Sequence, residues 1–189
     1  FLDIIGGEPF YHKKAKNLLR ELIRTRDSEH ITVHITTNAT RIDLDTISLL
    51  KQFEDVILSI SIDGVGKLQE YIRPGSDWNT LTKNIKLLRQ HKISLQTVST
   101  IGVLNILGLQ ELEDWCQTNG IHWGQPGLIE RPLELQPHNL PYQLHKFVPE
   151  KYQAMFKEGE NSFYINTLDY DFGKINNLLG SASAVSYTH

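Results

Sequence analysis

The chain has 189 residues, 40% of them hydrophobic and 22% charged, enough to bury one substantial core and to read as a single globular unit. Its formal net charge is −3, and no long basic block draws it to nucleic acid or to an anionic membrane. A single cysteine, Cys116, excludes an internal disulfide framework; no apolar run is long enough for a bilayer and no signal-peptide pattern opens the chain, so a cytoplasmic protein is expected.

The first apolar run, Phe1 to Ile5, stops at Gly6-Gly7-Glu8-Pro9, and an amphipathic stretch begins almost at once. That is the pattern of strand, loop and helix. Gly6 and Gly7 allow positive φ and close approach of a ligand, Pro9 fixes the exit direction, and the loop can present carbonyls and the Glu8 carboxylate to a cation. The same residues also describe a tight turn followed by an acid that the helix dipole favours, and the loop alone does not choose between these readings.

Within His12 to Arg26, Ala15, Leu18, Leu19, Leu22 and Ile23 recur at helical spacing, leaving Lys13, Lys14, Arg20 and Arg24 for solvent. Lys13, Lys14 and Lys16 are read as a solvated face. Ile31 to Thr37 alternates in period two, with Ile31, Val33 and Ile35 on one face, and Thr32, His34 and Thr36 on the other, which Asn38 continues. Asp43 is placed to cap a short helix carrying Leu44, Ile47, Leu50 and Phe53. Val56 to Asp63 alternates again, with Ile57, Ser59, Ser61 and Asp63 on its more polar face. An irregular link is expected over Gly64 to Gly75, then a helix capped by Ser76 or Asp77 with Trp78, Leu81, Ile85 and Leu88 on its buried stripe. Ile93 to Ile101 reads as one strand, Leu107 to Asn119 as a helix closed by Gly120, and Ile121 to Gln125 as a short last strand. From Pro126 to Pro149 the pattern fades into proline-punctuated sequence.

Strands alternating with helices at this spacing argue for βαβ units and a parallel sheet with right-handed crossovers. Two of the strands are apolar on one face and polar on the other, whereas a sheet covered on both faces would read as continuous apolar runs. A barrel or partial barrel explains that: helices outside, a polar lumen inside, and a site at the carboxyl ends of the strands.

Three strand ends then carry a family resemblance. Gly6-Gly7-Glu8-Pro9, Thr36-Thr37-Asn38-Ala39-Thr40 and Ser59-Ile60-Ser61-Ile62-Asp63-Gly64, in that order, resemble radical SAM enzymes, over roughly Phe1 to Pro141. Glu70-Tyr71-Ile72-Arg73 followed by Trp78, and Asp114-Trp115-Cys116, further resemble the subgroup that bears a twitch or SPASM auxiliary-cluster domain. The resemblance implies an α/β fold, a partial (β/α)6 TIM-like barrel lacking its first βα unit. It implies S-adenosylmethionine bound against a [4Fe–4S] cluster that reductively cleaves it to a 5′-deoxyadenosyl radical, an electron donor such as flavodoxin or ferredoxin, and a peptide substrate as the one that fits the subgroup. Carried over residue by residue, Gly6, Gly7, Glu8 and Pro9 would receive the methionine ammonium, with Asn38, Ser61 and Asp63 near the ribose and methionyl portion. Arg73 either pairs with a carboxylate of cofactor or substrate, or is a surface arginine of the link.

The sequence departs from the family at one point, since the CxxxCxxC loop whose three thiolates hold the cluster is absent. Cys116 reads as a small buried hydrophobe, so the cluster ligands are expected outside this chain. Phe1 already lies inside a strand and is not an initiator Met, so a truncated fragment, inactive by itself, is expected. The expected division is a barrel core over 1–127, an extension or bridge to a further domain over 128–184, and a non-native tail over 185–189. The eight histidines show no ligand spacing, and His34 is read as a hydrogen-bonded core residue, Trp78 and Trp115 as core anchors. Two other readings stay open: a non-catalytic barrel-like binding module without a cluster, and a conventional (β/α) enzyme using Glu8, Asp63 and His34 as acids and bases.

Overall fold

Alternation in the sequence becomes one parallel sheet, because a strand whose odd and even residues differ in polarity can bury only one of its faces. The computed structural model describes residues 1–124 and 126–156. Strands β1 (Leu2–Ile4), β2 (Thr32–Thr37), β3 (Asp55–Ser61) and β4 (Ser94–Val98) lie side by side in chain order, all parallel. Sequential order is what a barrel wall requires, and the chain is α/β, the wall of a partial barrel. Among the described residues, β1 pairs on one side only, with β2.

Helices α1 (Lys13–Arg24), α2 (Leu44–Leu50), α4 (Trp78–Gln90) and α5 (Leu109–Thr118) alternate with the strands, with α3 (Lys67–Ile72) inserted before α4. Val33, Ile35, Leu58, Ile60 and Leu95 of the sheet pack with Leu19, Ile47, Leu50, Leu81, Ile85, Leu88, Leu112 and Cys116 of the helices in one buried cluster. The helices therefore cover one face of the sheet. On the other face Asp3, Thr36, Ser61 and Val98 remain partly or fully exposed, and this is the lumen side. Trp78 and Trp115 meet at 4.8 Å between ring centroids and pack against the same core, as anchors.

The structure differs from the sequence reading in five places. Gly64 to Gly75 is not wholly irregular, because α3 occupies six residues, too few for a periodic stripe to show. The strand over Ile93 to Ile101 breaks at Ser99, whose hydroxyl donates to the Ile62 carbonyl. Beyond the break β5 (Thr100–Ile101) pairs with β6 (Gly127–Leu128) in a second sheet. In place of a strand over Ile121 to Gln125 there is a single parallel bridge, His122 to Gln96, with Gln125 outside the described residues. Gly124 passes so close to β4 that a Cβ there would stand 2.3 Å from the Thr97 carbonyl oxygen. Leu18 and Leu44, read as buried, are 45% and 63% exposed, since each sits at the edge of its stripe. Lys16, read as solvated, is held between Asp43 and Asp45 at 3.2 and 3.6 Å.

The proline-rich stretch forms a series of 3-10 turns from Leu133 to Phe156. Leu140, Val148 and Tyr152 of that stretch form a second buried cluster with Ile101, Ile106 and Leu109. The 185–189 tail lies outside the described residues, and no helix among the described residues is long and apolar enough to cross a membrane.

Candidate functional site

At the carboxyl end of β1 the chain turns through Gly6 at φ 90° and Gly7 at φ 60°. No heavy atom lies within 4 Å of where a Gly7 Cβ would stand, so this glycine is needed for its left-handed backbone and leaves open space beside it. Glu8 then caps the 3-10 turn Pro9–Tyr11. Its Oε1 accepts from the Phe10 N–H at 3.3 Å and from Thr37 Oγ1 at 2.6 Å, and its Oε2 accepts from the Asn38 N–H at 2.7 Å. Of the two roles the sequence left open, Glu8 takes up the one at the start of a helical turn, which it caps, and it also ties the glycine loop to the end of β2.

Asn38 spends its carbonyl oxygen on Thr40, accepting from the main-chain N–H at 2.9 Å and the hydroxyl at 2.6 Å. Its amide nitrogen has no hydrogen-bond partner among the described residues. Half-buried Ser61, at the end of β3, leaves its hydroxyl without one as well, while its carbonyl accepts from Gln69 Nε2 at 3.3 Å.

Asp63 is 4% exposed and fully engaged. Its Oδ2 accepts from Arg73 Nε at 2.6 Å and its Oδ1 from the Thr100 N–H at 2.8 Å. The Asp63 N–H donates to Gln69 Oε1 at 2.8 Å, and its carbonyl accepts from Asn105 Nδ2 at 2.9 Å. Arg73 is thereby neither a free surface arginine nor an unheld ligand. Its Nε is fixed by Asp63, its side chain is 34% exposed, and both Nη groups have no partner among the described residues.

Below these groups the lumen face carries a polar network. His34 Nδ1 lies 3.0 Å from Asp3 Oδ1 on the neighbouring strand, and His34 Nε2 lies 2.6 Å from Ser59 Oγ. Gln96 Nε2 donates to Ser59 Oγ at 2.8 Å. With Ser59 wholly buried and its oxygen already shared, the geometry makes His34 the hydrogen-bonded interior residue that its sequence position suggested. Thr37, Gln69, Gln96 and Asn105 were not singled out in the sequence. Gln96 has lumen parity between Leu95 and Thr97, a signal present in the sequence; Gln69 and Asn105 bond main chain across loops and leave no periodic trace.

Among the described residues no group of three His, Cys, Asp or Glu side chains is placed to hold a metal ion. Cys116 is buried against the helices, and burial, with Glu113 nearby, pushes its thiol up to about 12. Its side chain belongs to the core cluster beneath the sheet, a small buried hydrophobe.

A family model described as the Radical SAM superfamily matches residues 2–118. Among solved structures, SuiB from Streptococcus suis bound to S-adenosylmethionine is 23% identical with a TM-score of 0.53, covering 67% of this chain and 28% of that one. Another structure of SuiB is 20% identical with a TM-score of 0.59, over 82% of this chain and 35% of that one. The enzyme anSMEcpe with bound AdoMet and the Kp18Cys peptide is 18% identical with a TM-score of 0.57, over 70% and 38%. At these identities the likeness is one of fold, and the chain spans well under half the length of the structures it matches. No curated protein matches.

Proposed function

The chain belongs to the radical SAM superfamily, and from that premise we propose that its parent protein is a peptide-modifying enzyme that reductively cleaves S-adenosylmethionine at a [4Fe–4S] cluster. The cofactor, when bound, supplies a 5′-deoxyadenosyl radical that abstracts hydrogen from the substrate. The observation that carries this reading is the set of uncommitted polar groups inside the matched segment, two at the carboxyl ends of the adjacent strands β2 and β3 and one on Arg73, which follows α3 and is held by Asp63. Asn38 Nδ2, Ser61 Oγ and the Arg73 Nη groups have no partner among the described residues, and they stand with a carboxylate, Glu8.

S-adenosylmethionine fits those groups chemically. Glu8 favours its ammonium, Arg73 its carboxylate, and Asn38 and Ser61 its hydroxyls or methionyl polar atoms. Gly6, Gly7 and Pro9 shape the loop, and Asp63 acts through Arg73. The cluster does not fit this chain, whose one cysteine is Cys116, so its ligands belong to sequence outside the chain. The structures of SuiB with the precursor peptide SuiA and of anSMEcpe with the Cp18Cys peptide support a peptide as the substrate class. An electron donor of flavodoxin or ferredoxin type and a cytoplasmic location complete the proposal. Residues 1–127 serve as the barrel core and 128–184 as the bridge to an auxiliary twitch or SPASM domain.

The test uses the whole parent protein, prepared anaerobically with iron and sulfide. Reductant-dependent 5′-deoxyadenosine is expected, and Glu8→Ala is expected to abolish it. A parent that takes up no iron and cleaves no cofactor would return the fold to the status of a binding module.

A further inference from the structure

Outside the lumen, a groove of about 470 Å³ runs between the turn after Pro9, the loop after Asn38 and the first turns of α4. Its walls carry Tyr11, Lys13, Lys16, Arg41, Lys83 and Asn84. Lys16 is matched by Asp43 and Asp45. Arg41 lies over the Tyr11 ring at 4.2 Å and donates to the Tyr11 hydroxyl at 3.1 Å, a neutral partner. Lys13 and Lys83 have no carboxylate partner among the described residues. Three cations are therefore uncompensated along the groove, on a chain whose net charge is −3.

Asn84 narrows the choice of ligand. It is 7% exposed, and its Nδ2 donates to the Ala39 carbonyl at 2.7 Å, which fixes the amide orientation. The Asn84 carbonyl oxygen is left as an acceptor without a partner. A ligand that matches these walls brings both negative charge and a hydrogen-bond donor. Inorganic phosphate offers both but is far smaller than a groove of about 470 Å³, whereas an acidic peptide brings several carboxylates together with main-chain N–H groups. An aromatic ring stacked with arginine is also the kind of surface on which peptide contacts concentrate.

We propose that this groove holds an extended acidic segment of the peptide substrate, an inference that rests on the peptide-modifying reading above. Lys13 and Lys83 pair with Asp or Glu side chains, and Asn84 accepts a main-chain N–H. The Tyr11–Arg41 stack lies against the aliphatic parts. The two loops that wall the groove are continuations of those bearing Glu8 and Asn38, so the bound segment leads toward the carboxyl edge of the sheet.

The test measures fluorescence anisotropy of a fluorescein-labelled octapeptide of alternating Glu and Ser with the full parent protein. The same peptide with Lys for Glu is the control. The acidic peptide is expected to bind with an affinity that falls as sodium chloride rises. The double variant Lys13→Glu/Lys83→Glu is expected to weaken it about tenfold, whereas Lys14→Glu, on the same helix but outside the groove, changes it less than about twofold. Equal binding of the two peptides, an equal loss in Lys14→Glu, or displacement by inorganic phosphate at the concentration of the peptide would each overturn the proposal. Formation of 5′-deoxyadenosine by the unmodified protein is measured on the same preparation. Its absence from the unmodified protein would sink the reading on which the proposal rests, so the two failures are distinct.

Discussion

With one oxygen on Arg73, the other on the Thr100 N–H and only 4% of the residue exposed, Asp63 orients the Arg73 guanidinium, and its influence on the lumen passes through that group. Asp63→Asn keeps an acceptor for Thr100 but removes the anion from Arg73. The expected result is a loss of about 1–3 kcal/mol in denaturant unfolding, together with weaker binding of S-adenosylmethionine by calorimetry. Lower stability with unchanged affinity would reduce Asp63 to a structural role. Glu8, Asn38 and Ser61 were legible in the sequence because parity along a strand, or position in a strand-end loop, locates them. The Asp63 to Arg73 pairing was not, because ten residues and an unrecognised helix separate the partners.

Elements were legible where two local signals agree. The helix α2 had both an apolar period and a cap, and Asp43 does accept from the Thr46 N–H at 2.7 Å and from its hydroxyl at 2.6 Å. Those bonds, with Lys16 nearby, hold the Asp43 carboxyl below its ordinary range. The unfolded chain therefore binds that proton more readily than the folded one. The cap's contribution is full above the unfolded carboxyl value of about 4 and is lost as pH falls through the lower folded value. Asp43→Ala is expected to cost about 1 kcal/mol at pH 7, and urea unfolding repeated in acid is expected to show that difference shrinking. The break at Ser99 carried no such signal: Ile93 to Ile101 is apolar enough for one strand, and a long-range bond to Ile62 ends it.

For the whole molecule, the difference between the two faces of the sheet was readable from β2 and β3, and it correctly led to helices outside and a polar lumen. The second cluster was not readable, since Leu140, Val148 and Tyr152 lie among prolines without a period, and only the fold brings them to Ile101, Ile106 and Leu109. Tyr152 also donates to Glu113 Oε2 at 2.7 Å; Lys151, then this bond, hold that carboxyl below its usual range, and burial, then the same bond, hold the phenol above its own. Removing residues 133–156 is expected to bare three wholly buried side chains and to raise binding of a hydrophobic dye, measured against the intact chain. The one-sided pairing of β1 has a consequence of a different kind. Its outer row of main-chain donors and acceptors faces no strand among the described residues, and Phe1 and Ile5 beside it are 82% and 67% exposed. Such a margin is a template: it accepts the backbone of another segment irrespective of that segment's side chains, so the chain taken alone is disposed to add strands from its own copies and grow into aggregates.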